Sequence, residues 1–381
     1  MNSPTPRKVP IKPVILTCML LLVGGQLSGF KLPGTVVPEK IHSFPSNTSL
    51  EGPAWSVQEQ ALYFSVQAGA FGTYRWTEAR GLERARDSSG KVNGNAIDAA
   101  GRLVICDSVN RRILRVEEDF AETVLASEFE GRALNQPNDL IIRSDGTIWF
   151  TTPTWSAGET PYQYVLKVDP LTGEVTKMVS GIDKPNGLGF SPDESILYLN
   201  DNGANRVLAY SIHPDGTVAA APTVLLDNID KWPDGMCVDA EGNLFVAVYS
   251  GSMAGIRILS KDGEFLGRIS FPGITDGITN CTFGNPSEHI LWVTAKNELY
   301  RVDLSAGYPP PPPAVEAEWT GGELMLRWEP APAVVYHLAG SSDLQNWQSS
   351  PVQPVEEAGL LKAVVDSWAS LPYWRVEASR E

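Results

Sequence analysis

The chain has 381 residues, room for one large domain and a smaller second one. With 43% apolar and 20% charged residues it is globular rather than disordered. Its formal charge of −15 argues against nucleic acid or any other polyanion as partner, and is compatible with solubility and cation binding.

The first 29 residues have the form of an export signal. Arg7, Lys8 and Lys12 precede an apolar run over 14–23, and the small residues Gly24, Gly25, Ser28 and Gly29 follow. Ten apolar residues are too few to span a bilayer. Cleavage is therefore expected, leaving an exported bacterial protein, periplasmic or secreted, with no membrane attachment. Cys18 lies inside the apolar run, which continues past it, so a lipoprotein site is set aside. Of the remaining Cys106, Cys237 and Cys281, not all can pair and none stands in a Cys-x-x-Cys spacing; they read as small buried hydrophobes.

From Glu51 onward one pattern is written six times. Its clearest copy is Trp232-Pro-Asp-Gly-Met-Cys-Val-Asp-Ala-Glu-Gly-Asn-Leu-Phe-Val-Ala247, an oxygen-bearing residue (Asp234), an alternating apolar strand, a turn and a buried strand. Aligned on that residue, the anchors are Glu51, Asn93, Asn138, Asn186, Asp234 and Asn280, spaced by 42, 45, 48, 48 and 46 residues. Eleven and twelve positions after each anchor stand Leu62-Tyr63, Val104-Ile105, Trp149-Phe150, Leu197-Tyr198, Phe245-Val246 and Leu291-Trp292. Each unit has room for two further strands, such as 112–116, 164–168 and 206–210. Four strands repeated six times predict an all-β, six-bladed β-propeller over residues 30–308, with 36–44 supplying the strand that closes the ring.

Five prolines, 309–313, form a stiff linker. The remaining 314–381 carry strand-like runs at 315–320, 323–328, 334–340, 360–365 and 373–378, with Trp319, Trp328, Trp347, Trp368 and Trp374 as bulk for a small β-sandwich. The stretches Ser341-Ser-Asp-Leu-Gln-Asn-Trp347 and Tyr373-Trp-Arg-Val376 resemble a fibronectin-like module found at the carboxy terminus of exported bacterial proteins. A core role for these Trp residues is weighted above carbohydrate contact.

In a propeller, equal register points the six anchors at one mouth of the central channel. Every anchor offers an oxygen and none an imidazole or thiol. That donor set suits Ca2+ best, with Mg2+, Mn2+ or Zn2+ as substitutes in vitro, Zn2+ being disfavoured as the native ion. A single Asn-Gly or Asp-Gly is more often a turn pair than a ligand. Six oxygen-bearing residues in phase, two of them acidic, would bury neighbouring carboxylates without compensation unless a cation were bound.

The segments Leu50-Glu-Gly-Pro-Ala-Trp55, Gln136-Pro-Asn-Asp-Leu140, Lys184-Pro-Asn-Gly-Leu188 and Pro233-Asp-Gly-Met236 together resemble the gluconolactonase/regucalcin (senescence marker protein) family, across roughly 45–305. The resemblance implies a divalent ion held by Glu51, Asn138, Asn186 and Asp234. It also implies substrate contact or orientation of the site by Asn93, Asp139 and Asn280. Two departures from the family pattern, Phe150-Thr-Thr-Pro153 and Cys106-Asp-Ser108, fall near the pocket and leave the substrate open.

The expected reaction is metal-dependent hydrolysis of a small sugar-type lactone, with Asp234 as general base. Two alternatives stay open: phosphotriester or ester hydrolysis at the same ion, and a non-catalytic sugar- or peptide-binding propeller. No Gly-x-Ser-x-Gly elbow supports a serine triad. His213, His289 and His337 fall outside the channel mouth in this reading, with His42 left open. The Asp107–Arg111 and Asp201–Arg206 segments read as structural turns.

Overall fold

The computed structural model describes residues 30–308 except 70, 89, 156–161 and 286–288, together with the backbone of seven strands between 316 and 380. The proposed export segment (1–29) and the proline run (309–313) lie outside the described residues. Two compact units result, one of them Phe30–Tyr308.

That unit is a six-bladed propeller, each blade a four-stranded antiparallel sheet. Blade 1 comprises Leu50–Ser56, Ala61–Val66, Gly72–Thr77 and Gly81–Asp87. Blade 2 comprises Asn95–Ile97, Leu103–Asp107, Arg112–Val116 and Glu122–Ala126. In blade 3 the strands are Leu140–Ile142, Ile148–Thr152, Tyr164–Val168 and Val175–Ser180. Blade 4 follows with Pro185–Phe190, Ile196–Asp201, Arg206–Ser211 and Thr223–Leu226. Blade 5 is built from Lys231–Val238, Leu244–Ser250, Gly255–Leu259 and Phe265–Ile269.

Blade 6 takes Ile278–Phe283, Ile290–Ala295 and Glu298–Asp303 from the end of the unit and Glu39–Ser43 from its beginning. The pairing of Glu39–Ser43 with Glu298–Asp303 closes the ring where the 36–44 segment was expected to do so. Ion pairs Arg301–Glu39 (2.7 Å) and Lys40–Glu298 (2.8 Å) cross the seam.

The strands form where short apolar runs are cut by a recurring turn. In blade 2, Asp98 Oδ1 accepts from the amides of Ala100 and Arg102, and Gly101 takes the left-handed φ of +83° that the turn requires. Blade 5 repeats this with Asp239, Glu241, Asn243 and Gly242.

The second strand of each blade is apolar on successive residues because both of its faces are covered. In blade 3, Trp149 packs towards blade 4 while Phe150 packs towards blade 2; in blade 5, Phe245 faces blade 6 and Val246 faces blade 4. Six hydrophobic clusters among the described residues lie one to each junction between neighbouring blades. Burial between blades rather than within one sheet therefore holds the ring.

In blades 1, 4, 5 and 6 the register of the inner strand slips, between Glu51 and Ala54, Pro185 and Leu188, Pro233 and Met236, and Ile278 and Asn280. Such a bulge bends the strand and re-aims a side chain. Each bulge falls at or beside an anchor. A short hairpin between blades 2 and 3, Glu128–Phe129 with Arg132–Ala133, has no counterpart in the sequence expectation.

In the second unit the strands pair as two antiparallel sheets. One orders Glu316–Thr320, Glu323–Trp328, Leu360–Val365 and Val355–Glu357; the other orders Trp347–Ser349, Val334–Ser341 and Tyr373–Arg380.

Candidate active site

The first residues of the inner strands, with the residues just before them, form three stacked rings about the channel. The upper ring, two residues before each anchor, includes Ser49, Lys91, Lys184 and Trp232. The anchor ring follows, and the residue after each anchor makes a waist.

Glu51, Asn93, Asn138, Asn186 and Asp234 all line one cavity of about 520 Å3, although they come from five different blades. All five are buried. In blade 6 the residue that lines this cavity is Thr279, not Asn280. The bulge between Ile278 and Asn280 adds a residue, so the ring position falls one earlier than sequence spacing indicates. Thr279 Oγ1 donates to Leu50 O of blade 1 at 2.8 Å.

The anchors are tied to one another through the backbone. Ser65 Oγ of blade 1 donates to Asn93 O (2.6 Å), the Gly94 amide to Asn138 O (2.8 Å) and Asn200 Nδ2 to Asp234 O (2.6 Å). Asn202 Nδ2 donates to Pro233 O and Ser108 Oγ to Pro137 O. Blades 1, 2 and 4 thus each pin the strand start of the next, which fixes the side chains without using them. Among the described residues, the side-chain amides of Asn93 and Asn138 make no hydrogen bond within the protein, although 3% and 7% exposed. Both amides line the cavity and are open to a ligand there.

Asp139 and Asn280 stand elsewhere. Asn138 and Asp139 are consecutive residues just ahead of the Leu140–Ile142 strand, yet they line different cavities: Asp139 joins Asn280 in a second one of about 410 Å3. The two cavities share no lining residue. Between them lies the waist of Gly52, Gly94, Asp139, Gly187, Gly235 and Asn280. Asn280 Nδ2 donates to Asp139 Oδ2 at 3.1 Å, joining blades 6 and 3, opposite members of the ring. The glycines leave room for this bridge: a methyl group on Gly235 would stand 2.0 Å from Asn280 Cγ, and one on Gly94 2.7 Å from Asp139 Oδ1.

The electrostatics are unusual for so small a volume. Burial raises the Glu51 carboxyl well above its ordinary value, and the charges of Asp234 and Asp139 add to the effect. Asp234 is pushed up to about 8, by burial first and then by Asp139, against the hydrogen bond from Asn186 and the charge of Lys91. Asp139 is raised to about 6 by burial, partly offset by hydrogen bonds from Asn280 and the Leu140 amide. Carboxylates in this condition repel each other and need a compensating charge.

A hard dication fits that need. Two carboxylates and the amide oxygens of Asn138 and Asn186 are oxygen donors only, the ligand chemistry of Ca2+ and its relatives. No group of three or more His, Cys, Asp or Glu side chains is close enough to hold a metal among the described residues. Amides would have to complete the set. His42, His213 and His289 do not line the cavity; His42 lies against Phe44 and His289 stacks on Tyr308.

Other expectations resolve plainly. Cys106 and Cys281 are buried strand residues, Cys237 is half-buried, and all three are free thiols. Asp107 and Asp201 are buried and ion-paired with Arg112 (2.8 Å) and Arg206 (2.6 Å), so both hairpins are structural. Sequence spacing alone did not single out Lys91, Trp155, Lys184, Asn202, Trp232 and Tyr249, which complete much of the cavity wall. For Lys91, Lys184 and Trp232 a signal existed, the shared position two residues before an anchor.

A six-bladed propeller with one oxygen-lined cavity on its axis defines the class. Residues 50–297 match the SMP-30/gluconolactonase/LRE-like region, and the chain belongs to that family. It is 30% identical over 286 residues to a gluconolactonase of Zymomonas mobilis, covering 66% of this chain and 77% of that protein. It is 27% identical over 251 residues to a pentonolactonase of Haloferax volcanii, covering 64% and 80%. Among solved structures, a gluconolactonase of Xanthomonas campestris superposes with a TM-score of 0.64 at 29% identity, covering 74% of this chain and 96% of that one.

Proposed function

We propose that the protein is a metal-dependent hydrolase of sugar-type lactones. The observation that carries the reading is the convergence of Glu51, Asn138, Asn186 and Asp234 from four blades on one buried cavity. Relatives named gluconolactonase and pentonolactonase support the reaction type.

A dication held by these four residues would polarise the lactone carbonyl and stabilise the developing oxyanion by several kcal/mol, on the order usual for Lewis-acid assistance. Asp234 accepts the proton of the attacking water and returns it to the ring oxygen that leaves. Asp234 is buried in the cavity wall, where a carboxylate can act on a water molecule beside the substrate. The Asn186 side chain lines the same cavity as Asp234 and favours its charged form. Asn93, whose side chain has no partner among the described residues, is placed to donate to a substrate hydroxyl.

The test is metal analysis of the purified protein, followed by rates on aldonolactones, aryl esters and organophosphates before and after chelation. Lactone turnover that vanishes on chelation and returns with Ca2+ or Mn2+ is expected. Ester or organophosphate turnover exceeding that of every lactone would replace the reading with the broader esterase one. Asp234→Asn should lower kcat by at least about a hundred-fold, the scale of a positioned general base; an unchanged rate would remove Asp234 from that role.

Export completes the proposal: residues 1–29 act as a cleaved signal and the protein works in the periplasm or outside the cell. Amino-terminal sequencing of the mature protein tests this. The second unit is read as a fibronectin-like β-sandwich, with carbohydrate contact as its candidate partner interaction.

A further inference from the structure

The mouth of the cavity carries two ammonium groups. Lys91 and Lys184 are half-buried and line the same cavity as the anchors. The lysine ion pairs among the described residues are those of Lys40, Lys261 and Lys296, so neither rim lysine is paired with a carboxylate. Lys184 Nζ stands 5.9 Å from the centre of the Trp155 ring, a contact that leaves its N–H donors available.

Backbone geometry marks the same rim. Lys184 and Trp232 both adopt a left-handed φ, +56° and +59°, which costs a bulky residue energy and persists only where the surroundings impose it. Here they do: the Lys184 amide donates to Gln163 Oε1 (2.8 Å) and the Trp232 amide to Asn205 Oδ1 (2.7 Å). The fold thus holds a cation and an indole in an unfavourable conformation at the opening of the cavity.

A neutral sugar lactone gives these ammonium groups nothing to pair with. Once a dication compensates Glu51 and Asp234, neither rim lysine has a carboxylate within ion-pair distance among the described residues. Resting on the lactonase reading above, we propose that the preferred substrate is an anionic sugar lactone. Its carboxylate or phosphate, remote from the ester, would be received by Lys91 and Lys184, with the sugar ring against Trp232.

Two measurements test this on the full-length, metal-loaded protein. First, kcat/KM is compared for gluconolactone (neutral), glucarolactone (carboxylate) and phosphogluconolactone (phosphate). At least one anionic lactone should exceed the neutral one by about ten-fold or more, the scale of a single charge-assisted hydrogen bond. Which one leads identifies the anion. The advantage should shrink as ionic strength rises and should fall by about ten-fold in Lys91→Gln or Lys184→Gln. A neutral substrate that matches both anionic ones, or a ratio untouched by either substitution, overturns the proposal while leaving the lactonase reading intact.

Second, calorimetric binding of glucarate and gluconate, which differ by one carboxylate, reads the lysines without catalysis. Tighter binding of glucarate that both substitutions abolish supports the anion site even if no lactone is turned over, in which case the lactonase reading alone fails. Equal affinities overturn the anion site.

Discussion

At the scale of single residues, the chemistry rests on carboxylates held where their charge is poorly tolerated. Asp234 rises from an ordinary value of 3.8 to about 8, and Glu51 and Asp139 move in the same direction. The folded protein therefore binds more protons than the unfolded chain between about pH 4 and pH 8. With raised values, this contribution to stability is full at the acid end and is lost as pH rises through the folded-state value. Metal-free protein should melt at a lower temperature near pH 8 than near pH 5. A bound dication displaces the same protons, so added Ca2+ should raise the melting temperature more near pH 8 than near pH 5. Equal increments at the two pH values would show that these carboxyls are not protonated in the folded, metal-free state.

At the scale of the element, the anchor segments do two jobs on adjacent residues. One residue faces the cavity and the next packs at the waist, and the second job leaves little space. A methyl group on Gly187 would lie 2.5 Å from Asp234 O and 2.6 Å from Gly235 Cα, both backbone atoms that cannot rotate away. Gly187→Ala should destabilise the protein by about 1–3 kcal/mol and, because Asp234 shares that contact, should weaken metal affinity as well. Urea unfolding and metal titration of the variant measure both; a stability loss without any change in metal affinity would separate waist from site. The anchors at Glu51, Asn93, Asn138, Asn186 and Asp234 were legible in the sequence because their side-chain types recur at blade spacing. The sixth was misplaced by one residue, since Asn280 resembles its counterparts chemically whereas Thr279 occupies their position. A bulge leaves no mark in residue spacing, so chemical likeness prevailed over register. The partition of Asn138 and Asp139 between two cavities was not legible, because both precede the Leu140–Ile142 strand and spacing alone does not say which way each faces.

At the scale of the whole molecule, the ring and its closure were legible because apolar pairs recur at blade spacing and the unit's first strand lacked a local partner. Clusters at each blade junction explain why those pairs are doubly apolar. Less could be read of how the rest of the mouth is dressed, where Tyr249 arrives from the far end of a second strand and Asn202 and Trp155 from beyond one. Among the described residues, the cavity wall draws on positions between 49 and 279. A chain ending at Tyr308 should therefore keep lactone kcat/KM within about two-fold, a change below half a kcal/mol; a larger loss would assign the second unit a part in turnover. The Asp139–Asn280 bridge has a last consequence. Because that bridge crosses between two cavities with no shared wall, the spent acid is expected to leave by the doorway its precursor used. A slow departure would block the next arrival, and accumulated acid should act as a competitive inhibitor.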